Sequence, residues 1–239
     1  METRRAVVAI DGPSGSGKSS TSRGVALALG LDYLDTGAMY RAMAWYMLES
    51  GVDVADPATV ALLSDAPELR STTDPADPGI WVDGVDVSGP IRGAAVTAAV
   101  SPVAAVPEVR SRLVELQRAF VRAAQEQGRG IVVEGRDIGS VVLPDATAKI
   151  YLTADAEARA ARRALEDAGR APGADNGSGN VAATAESIAM RDAIDSGRAV
   201  APLRRADGAV LVDGTFLSLA EVIDVVVGIV EDACRESEG

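Results

Sequence analysis

The sequence predicts an α/β protein whose mostly parallel sheet is covered by helices on both faces. Three observations carry this expectation. Short apolar segments alternate with helix-forming ones along most of the 239 residues; a glycine- and serine-rich loop joins the first strand to the first helix; and 47% hydrophobic against 24% charged residues suit a packed soluble core. At about 150 residues per domain, the length allows one large or two modest domains.

The elements follow in order. Residues 6–10 (AVVAI) form a short strand of buried character, 12–17 a loop, and 19–29 a helix ended by Gly30. A second strand fits 31–34, followed by a helix over 37–49 that stops at Ser50-Gly51. Segment 67–93 is rich in Pro, Asp and Gly, and within it 80–87 alternates around Asp83-Gly84, a hairpin signal for a small antiparallel insert. A helix is expected over 108–127. Further strands fit 131–133, 149–152 and 209–212, with helices over 155–167, 182–194 and 218–232. Residues 169–180 contain no apolar side chain larger than Ala or Pro, which predicts a mobile loop between arginine-bearing helices and a candidate lid.

Composition removes several functions. Lys+Arg 23 against Asp+Glu 35 gives a formal charge of −12, the wrong sign for a protein that coats polyanions, and 3% aromatics leave little for base stacking; no nucleic-acid partner is expected. The chain has no His, so triads and relays that need imidazole are excluded. Its one cysteine, Cys234, lies in the polar C-terminal stretch and reads as an incidental thiol, which suits a reducing cytoplasm. After Arg4 and Arg5 the apolar run reaches Asp11 within five residues, too short for a signal-peptide core. The apolar stretches 94–106 and 222–230 are interrupted by Thr97, Ser101 and Asp224 and fall short of a membrane span.

Gly12-Pro13-Ser14-Gly15-Ser16-Gly17-Lys18-Ser19 matches G-x-x-x-x-G-K-[ST] at every fixed position, after a strand and at the start of a helix. Glycines let the backbone wrap phosphate oxygens with N–H groups pointing inward, and the helix adds the positive end of its dipole. Lys18 is expected to bridge the β- and γ-phosphates of ATP, and the Ser19 hydroxyl to ligate Mg²⁺. Such a loop serves GTPases, motors and small-molecule kinases alike. No Asn-Lys-x-Asp stretch reads guanine, and the acidic chain poorly suits a nucleic-acid motor, so a compact kinase is favoured. A kinase for another monophosphate such as UMP or AMP, or a non-catalytic ATP-binding switch, stays open at this point. A second anion site would draw on arginine, whose planar fork pairs phosphate in bidentate fashion.

Four segments carry a more specific signal. Ile10–Ser19 (IDGPSGSGKS), Leu34–Arg41 (LDTGAMYR), Glu134–Gly139 (EGRDIG) and Arg191-Asp192-x-x-Asp195-x-x-Arg198-x-x-x-Pro202-Leu203, with supporting runs at 87–92, 101–110 and 143–146, resemble the bacterial cytidylate kinases. The likeness spans about 7–226. It implies a P-loop NTPase-type five-stranded parallel sheet with helices on both faces, a small monophosphate-binding insert and a lid. One nucleoside monophosphate kinase domain is then expected over 1–239, with core about 1–62, 128–160 and 200–239, insert about 63–110 and lid about 161–198.

The resemblance also implies ATP-dependent phosphorylation of CMP and dCMP by a cytoplasmic monomer, with no membrane partner. Residue by residue, Gly12 to Ser19 together with Ser20 would hold the ATP phosphates, helped by Arg159 and Arg162 at the lid base. Thr36 and Arg41 would touch the acceptor phosphate with Tyr40 beside them. Ser101, Arg110 and Asp137 would read the cytosine edge, where a carboxylate accepting from the 4-amino group favours cytosine over uracil. Arg191 and Asp195 would hold the acceptor's ribose and phosphate region, while Arg136 and Arg198 neutralise phosphate charge, making Lys18, Arg136, Arg191 and Arg198 the catalytic set.

Overall fold

The computed structural model describes residues 3–170, 189–190, 192–193, 197 and 203–236, with side chains for all of these except 163 and 165–170. The expected loop beyond residue 170, most of the 182–194 helix, and Arg191, Asp195 and Arg198 lie outside the described residues.

The first unit is strand β1 (Val7–Asp11), the phosphate loop and helix α1 (Lys18–Leu29), which ends at Gly30 with φ +65°. Strand β2 (Asp32–Asp35) leads directly into α2 (Thr36–Glu49), because the Asp35 carboxylate accepts the Ala38 N–H at 2.9 Å and caps the helix. A short helix α3 (Pro57–Leu62) has the same kind of start, with Asp56 as cap and Pro57 at the first helical position. That Asp-Pro signal was legible, but the sequence reading passes over it.

The insert is antiparallel as expected. Strands β3 (Leu69–Ser71), β4 (Ile80–Val82) and β5 (Val85–Asp86) form a three-stranded sheet in that order. Asp83 (φ +49°) and Gly84 (φ +80°) both take left-handed backbone, the requirement of a two-residue hairpin turn with the twist of its strands. The expected 108–127 helix is the second of two. Helix α4 (Ala94–Ala105) turns the apolar 94–106 stretch into part of the core, and α5 (Pro107–Glu126) follows at once. Val106, held extended by the proline after it, separates them.

Strands β6 (Ile131–Gly135), β7 (Ala148–Thr153) and β8 (Val210–Asp213) complete the main sheet, with α6 (Ala156–Arg170) after β7 and α7 (Leu219–Glu236) after β8. The order is β2-β6-β1-β7-β8 and every neighbouring pair is parallel, with Ala9 opposite Val133 on one side and Lys149 on the other. The five-stranded parallel sheet is therefore as expected, each strand within a residue or two of the range read from sequence.

Alternation along the strands divides the core in two. Val7 and Ala9, Ile131 and Val133, and Leu34 pack with α2, α4 and α5, whereas Val8 and Ile10, Val132 and Tyr33 pack with α1 and α7. Cys234 corrects the sequence reading: it is 3% exposed and not in a polar tail. Val222, Val226, Val230 and Cys234 recur every four residues, so one helical stripe of α7 carries all four into the second core. No helix among the described residues is long and apolar enough to cross a membrane.

Candidate active site

The sheet order reverses direction at β1, and the carboxyl ends of the strands beside such a point open into a crevice. Asp11, Asp35 and Glu134 reach these ends, and the loops that follow line one cleft.

The phosphate loop is held by contacts that only glycine tolerates. A Cβ at Gly12 (φ +156°) would sit 2.0 Å from the Leu152 carbonyl oxygen on β7, and one at Gly15 (φ +74°) would sit 2.7 Å from that of Arg159. Lys18 donates to the Pro13 carbonyl at 2.9 Å, so its ammonium lies folded over its own loop. Burial, and then the Arg136 guanidinium, push that ammonium's pKa down. The Ser16 hydroxyl is buried with no partner among the described residues. A phosphate in this cradle would give both groups an anionic partner, which is the fit expected of a nucleotide site.

Glu134, at the end of β6, is buried and accepts a hydrogen bond from the Tyr33 hydroxyl, and the Ser19 hydroxyl close by helps hold its carboxyl down. Burial, and then nearby Asp35, push its carboxyl up. The Ser19 hydroxyl therefore has an acid behind it. Among the described residues no group of three or more His, Cys, Asp or Glu could hold a metal alone. Magnesium typically takes one or two protein groups plus substrate phosphates, and Ser19 backed by Glu134 suits that arrangement.

Across the cleft lies a second set of groups. Arg110 on α5 and Asp137 after β6, each 5% exposed, form a buried ion pair, and the Arg110 guanidinium lies 5.7 Å from the Tyr40 ring centre. Ser101 on α4 lines the same wall. Thr36 donates from its hydroxyl to the Glu134 carbonyl at 2.7 Å, and Arg41 donates to the Thr97 hydroxyl at 3.1 Å. Arg136 donates to the Gly12 carbonyl, joining the two halves.

Of the residues singled out in the sequence, Ser14, Gly15, Gly17, Lys18, Ser19, Thr36, Tyr40, Arg41, Ser101, Arg110, Arg136 and Asp137 line this one cleft. Gly12, Pro13 and Ser16 stand behind it as the loop's frame. Ser20 points to solvent from α1. Arg162 does not line the cleft: its guanidinium is held by the carbonyls of Gly214, Ser16 and Leu217, pinning α6 to the loop before α7. Arg159 pairs with Asp192 and donates to the Ser14 carbonyl at 3.1 Å, while the Ser14 N–H donates to Asp192 at 3.0 Å. Residues given no role by the sequence reading also belong to the site or its frame, among them Arg92, which lines the cleft, and Asp11, Tyr33 and Asp192. Asp192 stood inside a quoted motif; Asp11 and Tyr33 look like ordinary strand residues until the strands are paired.

The phosphate loop faces, across a shared cleft, the guanidinium groups of Arg41, Arg110 and Arg136 and the polar side chains of Ser101 and Asp137, and with the parallel sheet this defines a P-loop kinase. The cytidylate kinase family model matches residues 8–232. Cytidylate kinases of Streptomyces coelicolor, Streptomyces griseus and Streptomyces avermitilis are 58%, 56% and 55% identical to this chain. The griseus alignment covers 97% of this chain and 96% of that one; the other two each cover 95% and 93%. The chain belongs to the cytidylate kinase family.

Proposed function

We propose that this chain transfers the γ-phosphoryl group of ATP to CMP and dCMP, giving CDP and dCDP, by in-line displacement in the cleft between the Lys18 loop and the Arg110–Asp137 pair. The carrying observation is that these two features, distant in sequence, line one cavity. The acceptor phosphate has its second pKa near about 6 and is already an oxyanion at neutral pH, so no general base is needed. Catalysis then reduces to alignment and charge neutralisation.

Lys18 and Arg136 hold the transferring group, the one from the phosphate loop and the other from the opposite strand end. Thr36, Arg41 and Tyr40 orient the acceptor phosphate, and Ser101, Arg110 and Asp137 take the cytosine edge. Arg110 and Asp137 already grip each other. A donor and an acceptor are thus fixed side by side, and uracil, with a carbonyl in place of the 4-amino group, leaves the carboxylate without its partner. Bound at Ser19, magnesium supplies charge neutralisation on the ATP phosphates. Arg191, Asp195 and Arg198 complete the acceptor and phosphate contacts by the family motif, and Arg159 serves the donor side. The working division is a core, an insert about 63–110 and a lid about 161–198, in a cytoplasmic monomer that takes nucleotides and no nucleic acid.

The test is a coupled assay of ADP release over a panel of monophosphates. CMP and dCMP are expected to dominate, and a preference for UMP or AMP would replace the proposed acceptor. In the same assay Lys18→Ala is expected to abolish turnover with its circular dichroism unchanged; retained turnover would remove the phosphate loop from the mechanism.

A further inference from the structure

The phosphate loop and the base-reading loop are joined at a point that the reaction chemistry does not use. Asp11, the last residue of β1, is 3% exposed, and its two carboxylate oxygens accept the N–H groups of Ile138 and Gly139 at 2.8 Å each. These amides open the single π turn Ile138–Val142, whose first N–H groups have no partner within the turn. The residues immediately before them are Arg136 and Asp137. Asp11 also pairs with Gly135 across the β1–β6 ladder, and the next residue, Gly12, accepts from Arg136. Residues 11 and 12 therefore grip residues 135–139 by strand pairing, by two amides on one carboxylate, and by a guanidinium.

We propose that Asp11 is a positioning residue for the acceptor nucleotide: by anchoring the Ile138 and Gly139 amides it fixes the turn that aims Asp137 at the base. Burial raises the Asp11 carboxyl to about 6, while the two amides pull the other way, so both oxygens are free to accept at neutral pH. Asparagine at this position presents an NH₂ to one of the two amides and leaves that N–H unpaired. The turn then loses one of its two anchors, and the backbone that carries Asp137 is held less firmly, leaving its Arg110 pair to aim it. The effect falls on the acceptor side because both hydrogen bonds run to the turn after Asp137, and neither runs to the loop around Lys18.

The inference rests on the base-reading role of Asp137 proposed above, and a double-mutant cycle separates the two. Steady-state kinetics are compared for the wild type, Asp11→Asn, Asp137→Ala and the double variant. Asp11→Asn is expected to raise KM for CMP about ten-fold, to leave KM for ATP within about two-fold, and to narrow the preference for CMP over UMP. In the Asp137→Ala background the same substitution is expected to add little. Equal rises in KM for both nucleotides, or a full effect of Asp11→Asn on top of Asp137→Ala, would overturn the proposal. A raised KM for CMP in Asp137→Ala with an unchanged one in Asp11→Asn removes Asp11 alone. An unchanged KM in Asp137→Ala removes the base-reading role and the Asp11 effect with it. Amide hydrogen exchange in the wild-type protein gives an answer independent of variant folding. The Ile138 and Gly139 amides are expected to be protected at least about 100-fold, and free exchange would show that the anchor is not formed.

Discussion

Under the proposed function, the buried Arg110–Asp137 ion pair serves stability and recognition together. Removing one partner of a buried ion pair leaves the other charge without compensation, which typically costs about 3–5 kcal/mol. Asp137→Ala is therefore expected to lower stability by that order in a denaturant titration, and to raise KM for CMP far more than KM for ATP. An equal rise in both would deny it a part in reading the base. Tyr33 makes a second residue-scale case. Burial, and then Glu134, hold its phenol pKa well above the ordinary value, so the unfolded chain gives up this proton first. The stability that the neutral phenol contributes is full below about pH 10 and is lost as pH rises through the folded value. Tyr33→Phe is expected to cost about 1–3 kcal/mol at pH 7, because buried Glu134 loses a donor. Its deficit relative to wild type should shrink in unfolding titrations above about pH 10; a constant deficit would place the alkaline loss elsewhere.

At the scale of elements, the phosphate loop was the most legible part of the chain, because its chemistry is local. Backbone geometry demands glycine at fixed spacing, and that demand is written directly in the sequence. Gly15→Ala is expected to cost about 1–2 kcal/mol for the left-handed backbone. It also drives a methyl group into the Arg159 carbonyl, and KM for ATP should rise about ten-fold or more with KM for CMP little changed. Equal effects on both substrates would show a loop that deforms as a unit. The hairpin at Asp83-Gly84 was legible for the same reason. The split of 94–126 into α4 and α5 was not read, although Val106-Pro107 marks it, because an apolar run without clear period looks the same in one helix or two. Cys234 was misplaced because a polar neighbourhood in sequence hid its position on the inward stripe of α7.

For the whole molecule, the sheet separates two cores of unequal reach. One gathers α2, α4, α5 and the insert, and the other α1 and α7. Strand β1 is paired on both sides and buried along its length, whereas the insert sheet has three short strands, with both residues of β5 exposed. Hydrogen exchange should therefore be slowest in β1 and β6 and faster by orders of magnitude in β4 and β5. Equal protection would mean that the insert opens only with the core.

The sequence by itself determined the strands, their alternation with helices, the phosphate cradle and the family, since each depends on residue type and spacing within a short window. Tertiary structure alone decided which strand ends meet. It set β6 beside β1, so that Glu134 backs Ser19, Arg136 reaches Gly12 and Asp11 holds the turn beyond Asp137. Those contacts join residues more than a hundred positions apart, and no local spacing encodes them; they exist because parallel strands must be connected by crossovers that carry distant segments to one edge.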